Sequence, residues 1–414
     1  MFIAGSNSPI KNTSYKVVLP FYAYAAMSFL VAAVLVMFNA GAFTQHYFNP
    51  HTLAIVHTMA LGWGTMVILG ASHQLFPVLI EGKLHSNALA YLSFLFAAIG
   101  IPLLVFSFYE FNMGLMARAG ATLVNFSVAS YLANLWLSMS NGKKQNVHAV
   151  FAFTSVLWLF FTTGLGLLLV WNFTSQTLPN DSLHYLSLHA HVGIIGWFLL
   201  MVMGVGSRLI PMFLISKYEN KKRLWWAYTL VNAGLISFLF IFTLSPRAGF
   251  YFAPVLLVCL GVILFGNHVY RSYKERIRKK VDGQVGISML SVAFIGIPLV
   301  ILTIFIALVG PATGKQWALL YGFTIFFGWI TAIIFGMTFK TLPFIVWNKV
   351  YHNVAGLGKT PNPKDLFSNR VFVANALAYL AGFFVFGYGI LLANVSILNI
   401  GAVFLVIAAV LYNL

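Results

Sequence analysis

The amino-acid sequence predicts an all-α integral membrane protein, with about twelve transmembrane helices in three pseudo-symmetric four-helix arcs and both termini cytoplasmic. Three observations predict it. The chain is 60% hydrophobic and 7% charged, with a mean hydropathy of +0.89. Apolar runs of the ~20 residues that cross roughly 30 Å of hydrocarbon as a helix recur along its whole length. One helix pattern occurs three times at a common period. A transmembrane β-barrel would show short alternating segments instead, and none are present.

Hydropathy places helices near 17–38, 54–80, 88–108, 113–138, 148–172, 184–213, 225–245, 249–267, 286–309, 318–346, 371–391 and 394–413. The net charge of +17 reflects only seven acids among 414 residues, and the cations mark topology. Segments after even-numbered helices carry Lys83, then Lys143 and Lys144, then Lys217, Lys221, Lys222 and Arg223, then Arg271 to Lys280, then Lys349 to Arg370. Segments after odd-numbered helices carry only Arg247 and Lys315. Basic loops stay in the cytoplasm, so both termini are expected there, as in a bacterial inner-membrane protein. Cations scattered over separate loops form no single surface for nucleic acid. The segment 268–283 reads as a solvated basic linker, with a membrane-surface helix as the alternative. Met1–Tyr15 is polar and lacks the build of a cleaved signal peptide, so insertion is expected to rely on the first full-length helix. Cys259 is the only cysteine, which excludes a disulfide framework or a Cys-x-x-Cys-His attachment site.

The second, sixth and tenth helices share one pattern: HTMALGWGTMVILGASHQLFP, HVGIIGWFLLMVMGVGSRLIP and FTIFFGWITAIIFGMTFKTLP. Each holds Gly-Trp (62–63, 196–197, 328–329), a glycine seven residues after the tryptophan (Gly70, Gly204, Gly336) and a proline fourteen after it (Pro77, Pro211, Pro343). Gln74, Arg208 and Lys340 stand three before those prolines. The tryptophans recur at intervals of 134 and 132, which divides the chain at about 1–145, 146–283 and 284–414. Small residues admit close helix neighbours, the proline ends the backbone ladder near the basic side, and the polar residue snorkels to the interface. Packing explains the glycines, tryptophans and prolines.

It does not explain the histidines, eleven in all. His85, His148, His268 and His352 stand near cytoplasmic helix ends, His46 in the first outer loop, and His73 inside the second helix. His57, His189 and His191 stand one or two turns in from the outer surface, with His51 and His184 beside them. Five residues before Gly-Trp are His57, His191 and Phe323; seven before are Ile55, His189 and Tyr321. An ionisable group at that depth lines a cavity, pairs or binds something, and neutral imidazole suits iron or copper. His189 and His191 are about 200° apart around a helix and face opposite ways. His184 and His191 share a face about 10 Å apart along the axis, too far for one ion.

Twelve helices in three arcs, with histidines near the outer ends of the second and sixth, resemble haem–copper oxidase subunit I. The runs HTMALGWGTMVILGASHQLFPVL and GWITAIIFGMTFKTLPFIVW are most similar to small divergent bacterial relatives of that subunit. HAHVGIIGW is similar to the motif of the nitrosative-stress haem–copper membrane family called NnrS. The resemblance implies a haem b, with copper as a second metal, and a role in electron transfer or in binding or reducing NO or O₂ beside a cytochrome or oxidase subunit. His57 matches the family's second-helix haem ligand. The tenth helix offers Tyr321 and Phe323 where the opposing histidine is expected. The sixth helix lacks His-Pro-Glu-Val-Tyr, the seventh lacks His-His, and acids for a proton channel are missing, with Glu110 near an outer end. A complete oxygen-reducing centre is therefore not expected. Threefold symmetry suggests His57 and His191 as haem ligands, with His189 turned to a second haem or copper pocket and His184 and His51 as further metal ligands. Two other readings remain open: copper or haem handling for oxidase assembly through the outer histidines, and a transporter without cofactors.

Overall fold

The computed structural model describes residues 13–142, 146–244, 247–309, 314–351, 354–355, 357 and 359–414. Lys143, Lys144, His352 and the start of the chain through Asn12 lie outside the described residues. Among the described residues, eleven helices are long and apolar enough to cross a membrane. They are α1 (Tyr15–Phe38), α2 (Pro50–Leu79), α3 (Asn87–Tyr109), α5 (Val147–Ser175), α6 (Leu186–Leu214), α7 (Lys221–Leu244), α8 (Gly249–Lys274), α9 (Gly283–Ala307), α10 (Lys315–Tyr351), α11 (Asn369–Leu391) and α12 (Val395–Asn413). The fourth predicted helix also forms, as α4 (Leu115–Ser140), but Arg118, Asn125, Asn134 and several serines leave it less apolar than the rest. Its polar groups are accommodated. Arg118 bonds the Thr174 hydroxyl and lies 4.2 Å over the Trp171 ring, and Asn134 bonds the Ser86 carbonyl at 2.9 Å. The outward faces carry Trp226, Phe240, Leu256, Ile263, Phe384 and Ile400, all exposed, as a bundle solvated by lipid requires. The chain is an integral membrane protein.

Two features differ most from expectation. α8 continues through Lys274, so the first half of the expected linker 268–283 is helical. α9 is interrupted at Ile295, because Pro298 has no N–H to give the Phe294 carbonyl one turn back.

α2, α6 and α10 are the most buried spans and meet around a common axis. Residues four, eight and twelve positions after each tryptophan line one cavity of about 100 Å³: Val67, Ala71 and Leu75; Met201, Val205 and Leu209; Ile333, Met337 and Thr341. The repeated glycines admit the helix that precedes each of these spans. A Cβ on Gly70 would lie 2.7 Å from Phe21 Cβ of α1, and one on Gly204 would lie 2.5 Å from Phe151 Cβ of α5. A Cβ on Gly336 would lie 2.7 Å from the Gln284 carbonyl of α9 and closer still to the Ser288 hydroxyl. Hairpins α3–α4, α7–α8 and α11–α12 are each tightly packed. α4 also packs along α5, and α12 along α1, whereas α8 and α9 meet sparingly. The ring of helices is loosest at that seam.

Each inner span passes from α- to π-helix at the same place: Thr58–Thr65, Val192–Leu199 and Thr324–Ile330. π turns are rare and mark functional sites. Here each contains its Gly-Trp pair. The wide turn shows in the bonds that close it: Met66 N–H donates to Leu61 O and Leu200 N–H to Ile195 O, five residues back.

Candidate functional site

His57 and His191 occupy one structural position, the last residue before the π segment, with identical backbone angles of φ −72° and ψ −32°. Each ring is fixed the same way. His57 Nδ1–H donates to Leu53 O at 2.8 Å and His191 Nδ1–H to Ser187 O at 2.7 Å. A carbonyl only accepts, so the proton sits on Nδ1 and the lone pair on Nε2. That is the tautomer and the orienting bond that metal-binding histidines use. His73 makes the same bond to Leu69 O at 2.7 Å, but its Nε2 is enclosed without a partner between the Phe21 and Tyr131 rings.

The two equivalent histidines do not face each other. The His57 ring lies against Phe108 at 4.6 Å and faces His189 of α6, with ring centres 6.2 Å apart and planes within 16°. Gly166 of α5 leaves the space His189 fills, since a Cβ there would lie 2.9 Å from His189 Cε1. His189 Nδ1 is enclosed without a well-formed hydrogen bond, with the Thr162 backbone beside the ring. His191 turns to the other side of α6, as the two-residue offset requires. It stacks on Tyr321 of α10 at 5.8 Å and 27° and packs, tilted by 54°, against Phe238 of α7 at 5.3 Å. A rule emerges: the residue five before Gly-Trp in one inner span meets the residue seven before it in the next. It joins His57 to His189 and His191 to Tyr321. The third seam has Phe323 and Ile55 at these positions, both buried and apolar.

His51 and His184 lie apart from both pairs. His51 packs on Tyr109 at 4.6 Å, its Nδ1 enclosed without a partner. His184 is exposed against Tyr185 and Phe242. Among the described residues no three His, Cys, Asp or Glu side chains gather as a metal site needs.

The pair His57–His189 brings two nearly parallel imidazoles together, 6.2 Å between ring centres, and these are the two residues that would hold a haem. His57 offers an unprotonated Nε2, and the surroundings are apolar, as a haem site requires.

His191 lines a separate cavity of about 480 Å³ bounded by α6 to α10, within the range of about 300–1,000 Å³ typical of small-molecule sites. Its walls are apolar, among them Val255, Val258, Leu299, Leu302 and Phe305. Its polar members are Ser187, His191, Tyr251, Tyr321 and the indole of Trp329. The sequence did not single out Tyr321 or Trp329 for this role. Reading positions five and seven across successive repeats, instead of within one, would have found Tyr321.

A second signal was legible only in three dimensions. Trp63 Nε1–H donates to the Thr331 hydroxyl at 3.1 Å, and Trp197 Nε1–H donates to the Thr65 hydroxyl at 3.0 Å. Each acceptor stands two residues after a tryptophan of another inner span. The corresponding residue of α6 is Leu199, and the Trp329 indole N–H is buried without a partner. Comparison with known proteins finds no matching family model and no significantly similar characterised sequence.

Proposed function

We propose that the chain is a membrane haem protein acting in electron transfer, with His57 and His189 as the axial ligands of a haem b. The observation that carries this reading is the His57–His189 pair, parallel within 16° and 6.2 Å apart. Sequence reasoning favoured His57 with His191; the pairing of α2 with α6 stays, and the partner on α6 becomes His189. A haem b held by both His57 and His189 would supply one-electron redox chemistry rather than a gas-binding site. That favours electron transfer over binding of NO or O₂ at this site. The residues have separate tasks. Leu53 O fixes the tautomer of His57, Gly166 gives His189 its place, and Phe108 shields the pair.

The same reading gives twelve crossings, α4 included, in three four-helix units divided near 145 and 283. It places the basic end of the bundle in the cytoplasm, in a bacterial inner membrane, beside a cytochrome or oxidase subunit that passes electrons. The test is a pyridine haemochrome assay on the purified full chain, with copper measured on the same sample. The reading expects close to one haem b per chain. A chain that takes up no haem when expressed with adequate haem supply overturns it.

A further inference from the structure

The cavity beside His191 lies where the molecule departs most from its own repeat. Two indole–threonine bonds join α2 to α10 and α6 to α2. The third, α10 to α6, is absent because Leu199 stands in the threonine position, and Trp329 keeps an unpaired N–H. On the outer side of this gap α8 and α9 meet sparingly, and both contribute wall residues. The cavity thus adjoins the loosest seam of the bundle, on a side that faces lipid.

Its polar groups are complementary. His191 presents an Nε2 lone pair, since Nδ1–H is committed to Ser187 O. Tyr321 and Tyr251 line the same space, with hydroxyls that make no hydrogen bond among the described residues. Trp329, 2% exposed, adds a fourth unpaired group. Polar side chains left unpaired inside a membrane protein are expensive and mark binding sites. One acceptor and several donors in an apolar chamber call for a ligand with a hydroxyl donor, an oxygen acceptor and a lipophilic body.

We infer that this cavity binds the ring of a lipid-soluble quinone or hydroquinone. In the hydroquinone one ring hydroxyl donates to His191 Nε2; in either redox form the oxygen across the ring accepts from Tyr321 or Trp329, and the tail leaves through the α8–α9 seam into the bilayer. The choice of a quinone among amphipathic ligands rests on the electron-transfer reading of the His57–His189 pair.

The test is photolabelling of the full chain in proteoliposomes with an azido-benzoquinone bearing a decyl tail, mapped by mass spectrometry over a concentration series. Saturable labelling is expected on α8 to α10. Tyr321→Phe and Trp329→Phe should each weaken it about five- to ten-fold, the loss of one hydrogen bond. Leu302→Trp, which fills the cavity without touching its polar groups, should abolish it. The haem spectrum should stay unchanged in all three. Labelling that does not saturate, or that all three variants leave intact, overturns the inference. So does loss of a bound porphyrin in Tyr321→Phe or Leu302→Trp, which would give the chamber to a haem. Saturable labelling in a chain without haem leaves the site standing and removes the electron-transfer reading alone.

Discussion

An indole N–H sealed inside a membrane protein has to find an acceptor or remain a liability. The three repeated tryptophans separate these cases at constant shape. Trp63→Phe and Trp197→Phe each break a bond to a buried threonine, whereas Trp329→Phe removes an N–H that had no partner. The lost ring volume is the same in all three. Thermal unfolding in detergent should therefore rank Trp329→Phe as the mildest, by about 1–2 kcal/mol. Equal losses in all three would show that the threonine bonds do not contribute. The tryptophans stand out in the sequence by their period, but the bonds do not. Thr65 and Thr331 sit beside unremarkable apolar residues, and their role depends on which inner span follows which around the axis. The histidines behave alike: the sequence marks His57, His189 and His191 as unusual, while the choice of partner is a matter of rotation about α6.

For whole elements, the π segments set that rotation. Each is about two turns long and lies between the position of His57, His191 or Phe323 and the repeated packing face below it. Deleting one residue inside Thr58–Thr65 would let the stretch close as α-helix, whose different pitch and twist shift His57 along and around the axis relative to the helix below. The expected result is a folded chain without the His57-dependent haem. Retention of that haem would show that the π turn does not position the histidine. Gly336 tests the packing side of the same span. Gly336→Ala should destabilise by about 1–3 kcal/mol, because the new methyl meets the α9 backbone at Gln284; an unchanged melting temperature would contradict the close approach. Span positions were legible in hydropathy to within a few residues, and the glycines already pointed to close neighbours. The π turns were not legible, because α- and π-helix share the same apolar pattern. α4 shows the opposite limit: Asn125 bonds Thr163 of α5, Ser127 bonds Ser93 of α3 and Asn134 bonds Ser86 at the start of α3, so much of its polarity is internal.

At the scale of the molecule, the basic end is braced where α9 meets α10. Burial alone would raise the Asp282 carboxyl, but the Lys340 ammonium that bonds it and the Arg278 guanidinium more than offset this. They hold it below the ordinary carboxylate range. A carboxyl with a lowered folded-state pKa contributes stability above its unfolded value of about 4, and that contribution fades as pH falls through the lower folded value. The melting temperature should thus fall on acidification below about pH 4, and Asp282→Asn should flatten that fall; an unaltered profile in the variant would assign the effect to other acids. Lys340 belongs to the repeat and was expected to snorkel. Its partner was not foreseen, because Asp282 precedes it by 58 residues.

These scales meet in the claim that one imidazole from each of two repeats holds a single haem. The most direct measurement is the low-temperature electron paramagnetic resonance spectrum of the oxidised full chain, beside His57→Ala, His189→Ala and His191→Ala. The account predicts a low-spin signal of bis-imidazole iron in the wild type, converted to high spin or lost in the first two variants and retained in the third. A low-spin signal that survives His189→Ala but disappears in His191→Ala would contradict it and return the iron to the other face of α6.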